Sequence, residues 1–177
     1  AKLAADMLNL PLYTFTFKEE DVEHIVPKVL WLIEEPNPVN LSIAIPIFWA
    51  AQLASELNLK ILLAGQGSDE LFGGYHRYLT LYAKQGAEAL KKTLYTDVVT
   101  AYKKNFQRDN KVCSFHKTEL RLPFADRELV ELALSTPLNQ KIASPTDELR
   151  KRILRNIAEN LEIPPTLAKR KKKAVQY

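Results

Sequence analysis

Glycine is scarce in this chain and is concentrated in one place. Four of the five glycines, at positions 65, 67, 73 and 74, fall within the segment AGQGSDELFGGY, which begins at Ala64. A glycine inside a helix costs about 1 kcal/mol relative to alanine, so a glycine pair indicates that the backbone needs freedom there. The segment also follows an apolar run, residues 59–64, that is typical of a central parallel strand. A strand, a glycine turn and a helix start form a phosphate-binding geometry.

The residues after the second glycine suit a helix start with or without a ligand. Ser68 fits the N-cap position, and the helix dipole alone favours Asp69 and Glu70 in the first turn. This explanation accounts for the acidic residues and leaves the clustered glycines unexplained. The sequence therefore favours a phosphate-facing loop.

Hydrophobic periodicity predicts an α/β portion followed by a mainly helical portion, with the division near residue 86. Helices are predicted over residues 1–9, 18–33, 41–57, 69–83, 87–106, 126–135 and 147–159. Buried strands are predicted over residues 11–17, where Leu12, Phe15 and Phe17 are apolar, and over residues 59–64. Two strands are too few for an open parallel sheet of ordinary size. We therefore expect residues 1–85 to be an α/β portion that is incomplete before Ala1, and residues 86–177 to complete the domain.

The net charge of +4 is located at one end of the chain. Residues 169–173, KRKKK, hold five of the 25 basic residues, and the remaining 20 against 21 acidic residues leave a net charge of −1. Most basic runs are solvated tails or nucleic-acid patches, and this interpretation stays open for the tail taken alone.

The single cysteine, Cys113, excludes an internal disulfide framework and a cysteine-based zinc site. It lies far from the glycine loop and is best interpreted as a buried bystander thiol. The longest apolar stretches, such as residues 41–51, are interrupted by polar residues and proline, and none reaches the roughly 18 residues that a membrane helix needs. We expect a soluble protein in a reducing, cytoplasmic setting.

Three ordered motifs resemble the asparagine synthetase family. The loop matches the pattern G-x-G-[SA]-D-E-L-F-G-G-Y, residues 119–126 (ELRLPFAD) are similar to E-x-R-x-P-F-L-D, and residues 170–174 (RKKKA) resemble a late R-x-K segment. The resemblance covers the C-terminal synthetase domain. It implies a Rossmann-like sheet of the ATP-pyrophosphatase type, related to adenine nucleotide alpha hydrolases, followed by helices.

The resemblance also implies a chemistry and a set of site residues. In this family a substrate carboxylate attacks the α-phosphate of ATP, pyrophosphate leaves, and ammonia or an amine displaces AMP from the acyl-adenylate. Nucleotide-binding residues are then expected at Gly65, Gln66, Gly67, Ser68 and Asp69. Asp69 is expected to bind Mg²⁺ as well, because this ion prefers oxygen ligands shared with phosphates. Lys172 aligns with the family's catalytic lysine, and Glu119 and Arg121 are candidates for a supporting role.

Several family features are absent from these residues. The Ser-Gly-Gly-x-Asp-Ser phosphate loop, expected before Ala1, is not in the sequence, and neither is the glutaminase domain that supplies ammonia. We expect the loop upstream in a longer chain and ammonia from a separate glutaminase, with a homodimer as the assembly. Gln66 replaces the usual acid, as tyrosine does in β-lactam-forming relatives, and an amide cannot act as a general base. A non-catalytic interaction protein with a basic tail is the alternative function.

Overall fold

The computed structural model describes residues 1–172, and helices dominate them. The helices are α1 (Lys2–Met7), α2 (Glu19–Ile33), α3 (Pro38–Glu56), α4 (Ser68–Phe72), α5 (His76–Ala101), α6 (Gln107–Phe115), α7 (Arg127–Ser135), α8 (Leu138–Lys141), α9 (Arg152–Asn160) and α10 (Pro165–Ala168). A π-helical turn, Tyr102–Phe106, joins α5 to α6, and a 3-10 turn, Pro123–Ala125, precedes α7.

The described residues contain one sheet of two short strands. β1 (Ile61–Leu63) pairs in parallel with β2 (Glu119–Arg121), and Leu62 lies opposite Leu120. β1 confirms the second predicted strand in a shorter form, and the sheet confirms the α/β class. β2 was not predicted, because a three-residue strand with charged ends carries almost no alternating hydrophobic signal.

The chain groups into two compact units, each assembled from separate segments. The sheet unit consists of Tyr13–Gln66 and Thr100–Pro123. The helical unit consists of Ala1–Leu12, Gly67–Val99 and the residues from Phe124 onward. The division near residue 86 was predicted between an α/β and a helical portion of the sequence, and it stays a prediction.

The sheet unit has a core built from α2, α3 and α6. Its buried members are Val29, Ile33, Ala44, Ile45, Phe48, Trp49 and Val112. Val29 and Ile33 are one turn apart on α2, which is the apolar face that the sequence predicted. Cys113 is fully buried in this unit, and burial raises the pKa of its thiol to about 11. A buried and poorly ionised thiol agrees with the structural role expected for it.

The helical unit has two smaller clusters. One contains Tyr78, Leu79, Leu90, Leu94 and Ile142. The other contains Leu71, Phe72 and Ala133, with Phe124 packed at its margin. The second cluster anchors α4, because two of the five residues of that helix are buried in it.

One helix in the described part of the chain, α3, has the length and apolar composition that crossing a membrane would require. Length and composition do not distinguish such a helix from the core helix of a globular unit. Six α3 residues are buried in the sheet unit, including Phe48 and Trp49. Packing thus accounts for the apolar residues on the buried face of α3.

The predicted strand over residues 11–17 is wrong. These residues form neither helix nor strand, and Leu12, Phe15 and Phe17 are 41%, 51% and 45% exposed. Phe15 and Phe17 instead pack on Trp49, with ring centroids 5.4 and 4.3 Å apart from it. Alternating aromatic residues suit a strand, but a strand also needs a hydrogen-bonded neighbour. No described segment pairs with this one.

Three predicted helices differ from the observed ones where the backbone turns left-handed. The helix expected over residues 69–83 breaks after α4, since Gly73 has a φ of 72°. Gly86, expected to lie just before a new helix, has a φ of 82° and kinks the long α5. The helix expected from residue 147 begins at Arg152, because the Asp147 side chain accepts hydrogen bonds from the backbone N–H groups of Ala143 and Arg150.

Candidate functional site

Asp69 is the centre of a charged cluster at the start of α4, in the helical unit. The Lys172 ammonium donates a hydrogen bond to Asp69 Oδ2 at 2.7 Å. Lys151 Nζ lies 2.8 Å from Asp69 Oδ1, which is an ion-pair distance, although the angle is outside hydrogen-bonding geometry. Lys151 also donates a hydrogen bond to Ser68 Oγ at 2.9 Å. The structure therefore brings together Ser68, Asp69 and Lys172, three of the predicted site residues.

The start of α4 differs in one respect from the prediction. Gly67, with a φ of 92°, occupies the N-cap position, and Ser68 is the first helical residue. A residue with this φ is most often glycine, because a Cβ would be strained there. Ser68 is therefore not the N-cap residue, and its side chain accepts a hydrogen bond from Lys151.

A second layer of residues supports Lys172. Its ammonium lies 4.4 Å from the ring centroid of Tyr75, a cation–π distance. The Tyr75 hydroxyl donates a hydrogen bond to Glu70 Oε1 at 2.7 Å, and Glu70 is only 4% exposed. Burial, followed by the charge of Glu70, raises the pKa of Tyr75. Tyr75 therefore stays a neutral hydrogen-bond donor and presents its ring to Lys172.

Lys151 reaches the cluster from an unusual backbone conformation. Arg150 and Lys151 have φ values of 50° and 49°, in the left-handed region where ordinary residues are strained by roughly 1–2 kcal/mol each. The buried Arg150 side chain donates to the carbonyl of Gly74 at 3.0 Å and holds the turn in place. Strain of this kind clusters at functional sites, where the surrounding structure must over-determine it.

Arg155 of α9 connects the two segments that carry the lysines. Its guanidinium donates to the carbonyls of Leu149 (2.7 Å) and Arg150 (2.8 Å), next to Lys151. It also donates to the carbonyls of Ala168 (2.6 Å) and Arg170 (3.0 Å), which lead to Lys172. One planar side chain thus links the backbone just before Lys151 to the backbone just before Lys172.

The electrostatic balance at Asp69 favours the ionised form. Burial alone would raise its pKa, but the interactions with Lys151 and Lys172 outweigh that effect and hold the pKa below the ordinary aspartate value. Asp69 and Lys151 side chains are both 22% exposed and Lys172 is 29% exposed. Three cations (Lys151, Lys172 and Arg150) against two anions (Asp69 and Glu70) leave one excess positive charge, which suits an anionic ligand.

Gly65 and Gln66 follow β1 in the sheet unit. A Cβ at Gly65 would meet nothing within 4 Å, so the space beside this glycine is open. The Gln66 side chain approaches Asp109, a carboxylate that is 1% exposed and accepts a hydrogen bond from Arg108 Nε at 2.7 Å. Burial raises the pKa of Asp109, while Arg108 and Gln66 act in the opposite direction. Asp109 Oδ2 makes no hydrogen bond with a described residue.

Glu119 and Arg121 lie on β2, also in the sheet unit. Arg121 Nε donates to Glu119 Oε1 at 2.8 Å, and the two side chains are 61% (Glu119) and 54% (Arg121) exposed. An exposed pair of this type contributes about 0–1 kcal/mol. Their predicted supporting role stays a prediction. Lys173 and residues 174–177, the end of the basic tail, lie outside the described residues.

Three residues of the cluster were missed by sequence reasoning: Lys151, Tyr75 and Arg155. Tyr75 ends the glycine motif and could have been found from that position. Lys151 and Arg155 stand in the ordinary-looking segment ELRKRILR, where basic residues are numerous and no spacing marks a site. They became recognisable through their contacts.

Comparison with known proteins shows similarity to one family along the whole chain. The family model described as asparagine synthase matches residues 1–86 and 82–177. A protein of Methanocaldococcus jannaschii, whose name assigns it as a glutamine-hydrolyzing asparagine synthetase, is 38% identical over 99% of this chain and 38% of its own length. Glutamine-hydrolyzing asparagine synthetases of Triphysaria versicolor and Asparagus officinalis are 29% and 27% identical, over 92% and 93% of this chain and 28% of each relative. The chain thus spans less than two fifths of the length of these relatives.

Proposed function

Since this chain belongs to the asparagine synthase family, we propose that it forms part of an ATP-dependent, amide-forming ligase of the asparagine synthetase type. The observation that carries the proposal is the convergence of Lys151 and Lys172 on Asp69 at the start of α4. A reaction that expels pyrophosphate concentrates negative charge on the leaving group. Preorganised cations at that point are the most effective catalytic aid, because they need no reorganisation during the reaction.

The residues of the Asp69 cluster provide hydrogen-bond donors and positive charge that suit the phosphates of the substrate ATP. Two ammonium groups and the Ser68 hydroxyl are donors for phosphate oxygens, and Gly67 lets the backbone approach closely. The five-residue α4 is too short to contribute much through its dipole, so the lysines supply the charge. Lys172 would neutralise charge on the leaving pyrophosphate, and Lys151 would hold Asp69 and Ser68 in position.

The same cluster offers a limited fit to Mg²⁺. Both oxygens of Asp69 face an ammonium group, Oδ1 that of Lys151 at 2.8 Å and Oδ2 that of Lys172 at 2.7 Å, so a hard cation would bind Asp69 only by displacing one lysine. The described residues contain no group of three or more metal-ligating side chains. Asp69 would therefore hold the ion together with phosphate oxygens and water, as is usual for Mg²⁺. When bound, the ion would neutralise phosphate charge.

The substrates of the reaction follow from the family and from position 66. The acid substrate would be aspartate or a related carboxylate, and the nitrogen would come from ammonia or an amine. The relatives are named as glutamine-hydrolyzing, so we propose glutamine as the source of ammonia through a glutaminase activity. Gln66 carries no charge, and the Asp109 carboxylate beside it is the available acid in that part of the sheet unit.

The remaining expectations belong to the same proposal. A larger Rossmann-like sheet would surround β1 and β2, and the reaction would take place in the cytoplasm. A homodimer is the expected assembly. These three features are implied by the family.

The decisive experiment replaces single lysines in the complete protein and measures ATP–pyrophosphate exchange. Lys172→Ala should lower the exchange rate by a factor of about 100 or more, the range found when one preorganised donor is removed. Lys171→Ala is the matched control, since Lys171 pairs with the exposed Glu148 and not with Asp69. Its exchange rate should stay within about twofold of the wild type.

Equal losses in both variants would mean that the tail acts only through its summed charge, and this result would contradict the assignment of Lys172. Absence of exchange in the wild-type protein, with aspartate and a panel of related acids, would contradict the ligase function. Asp69→Asn adds a third measurement, because it should abolish Mg²⁺-dependent exchange. It also removes the anion shared by Lys151 and Lys172, so the free energy of unfolding should fall by about 1–3 kcal/mol.

A further inference from the structure

A separate cavity in the helical unit contains a buried lysine that the proposed reaction does not use. The cavity has a volume of about 350 Å³ and lies between α5, the end of α7 and α8. Its apolar walls include Leu94, Leu134 and Leu138, and Lys91 and Lys141 also line it. A volume of this size is within the range of small-molecule sites.

Lys141 is in an unfavourable position for a free ammonium group. The residue is only 5% exposed, and its side chain makes no hydrogen bond or ion pair with any described residue. Burial lowers the pKa of Lys141, and no carboxylate counteracts this effect. Buried charges in proteins are usually paired, because removing an ion from water costs several kcal/mol. Lys141 Nζ keeps some solvent contact and lines the cavity, so an anion bound there would supply the partner that the described residues lack.

The other polar groups of the cavity narrow the choice of anion. The hydroxyls of Ser135 and Thr136 both donate to the carbonyl of Leu132, at 2.8 Å each, so neither offers a proton to a ligand. Lys91 is 54% exposed and pairs with Glu88 at 2.7 Å, which places it as a weaker second cation. Phosphate normally takes several converging donors, and this cavity has few. A single carboxylate with an apolar body matches one ammonium group without a protein partner and leucine walls.

We propose that this cavity binds a small organic carboxylate, with the carboxylate paired to Lys141 and the apolar part against Leu94, Leu134 and Leu138. The binding would remove the unpaired charge of Lys141 and displace water from an apolar surface. The site is built from residues outside the Asp69 cluster and is independent of the proposed ligase activity.

Hexanoate is a suitable probe, and calorimetric titration of the complete protein at pH 7 is the measurement. Hexanoate should bind saturably, and 1-hexanol, which has the same chain without the charge, should bind at least tenfold more weakly. Lys141→Met keeps the length of the side chain and removes the ammonium, and it should raise the Kd for hexanoate at least tenfold. Lys92→Met, an exposed neighbour on α5, should leave the Kd unchanged.

A second variant guards against loss of folding in Lys141→Met. Leu134→Trp fills the cavity from a residue that is 39% exposed, so it should prevent hexanoate binding while the thermal unfolding curve stays unchanged. The proposal is wrong if hexanoate shows no saturable binding, or if either variant binds it as well as the wild type does. Tighter binding of inorganic phosphate than of hexanoate would likewise reject the carboxylate and its apolar body as the ligand class.

Discussion

At position 74, the absence of a side chain leaves the space in which Asp69 and Lys151 meet. A Cβ built on Gly74 would lie 1.7 Å from Asp69 Oδ1 and 2.3 Å from Lys151 Cε. Both distances are far below any real contact, so one side chain would have to leave. The backbone of Gly74 also accepts the hydrogen bond from Arg150. This glycine is needed for close approach, whereas Gly73 is needed for its left-handed φ.

Gly74→Ala should therefore break the Asp69–Lys151 pair. We expect the free energy of unfolding to fall by about 1–3 kcal/mol, as overpacking usually does, and ATP–pyrophosphate exchange to be lost. Gly65→Ala is the control for stability, because a Cβ there has open space. Chemical denaturation of both variants checks the difference, and equal stabilities would show that the Asp69 cluster adjusts without cost.

Gln66 lies beside a carboxylate that is already buried. Asp109 has a raised pKa, so its ionised form is disfavoured in the folded state, and the stability of the protein falls as the pH rises through the range where Asp109 ionises. A second carboxylate at position 66 would add like-charge repulsion. The neutral residue at this position thus has a structural reason that the family pattern alone did not reveal.

Gln66→Glu should lower the free energy of unfolding by roughly 1 kcal/mol at pH 8, with a smaller effect at pH 5, because a lower pH favours protonation of either acid and so weakens the repulsion. Urea denaturation at both pH values measures this. Gln140→Glu on α8 is the amide-to-acid control, because Gln140 is exposed and no acidic residue lies within four positions of it in the chain. A destabilisation by Gln66→Glu that does not depend on pH would rule out charge repulsion as its cause.

At the scale of elements, α9 positions the site without contributing a group to it. Arg155 links the strained Arg150–Lys151 turn to the C-terminal end of α10 and to Arg170 beyond it, through hydrogen bonds to four carbonyls. α4 is held differently, by Leu71 and Phe72 in an apolar cluster. The lysines and Asp69 therefore depend on two packing arrangements within one unit.

Arg155→Met should separate these contributions. It keeps most of the apolar length and removes the donors, so we expect the free energy of unfolding to fall by about 2 kcal/mol, the scale of hydrogen bonds from a charged group. The ATP–pyrophosphate exchange rate should also fall under conditions where the variant is fully folded, because Lys151 and Lys172 lose their alignment. Arg152→Met, which loses one 3.2 Å bond at an exposed position, is the control. Full activity in folded Arg155→Met would reject the positioning role.

At the scale of the whole molecule, the basic tail is less of a free patch than its composition suggests. Lys169 pairs with Glu159 at 3.1 Å, Lys171 with Glu148, and Lys172 with Asp69 at 2.7 Å. Three of the five basic tail positions therefore have acidic neighbours within the helical unit. This arrangement does not favour the alternative function, in which the tail binds acidic partners.

Binding to double-stranded DNA should accordingly show little dependence on salt. Five free basic residues would give a slope of log K against log salt near −4.5, at about −0.9 for each neutralised phosphate, and we expect a slope shallower than about −2. Fluorescence anisotropy over a range of salt concentrations measures it. Glu148→Gln frees Lys171 and should steepen the slope by about one unit. A wild-type slope near −4 would favour the nucleic-acid patch.

Much of the helical structure could be predicted from local pattern. α2 and α7 match their predicted ranges to within one residue at each end, because an apolar face with a 3.6-residue period is encoded locally. The strand over residues 11–17 failed for the opposite reason, since strand formation depends on a distant partner. β2 was missed on the same ground, and its pairing with β1 joins residues 58 positions apart, as at Leu62 and Leu120.

What the sequence by itself determined is the family, the glycine loop and the identity of Asp69 and Lys172 as candidates, because these depend on motifs of adjacent residues. The tertiary structure alone decided that Lys151 shares Asp69 with Lys172 and that Arg155 aligns both lysines. It also decided that Lys141 is buried without a partner. Each of these depends on contacts between residues far apart in the chain, and such contacts arise only when the packing of helices has brought them within a few ångströms.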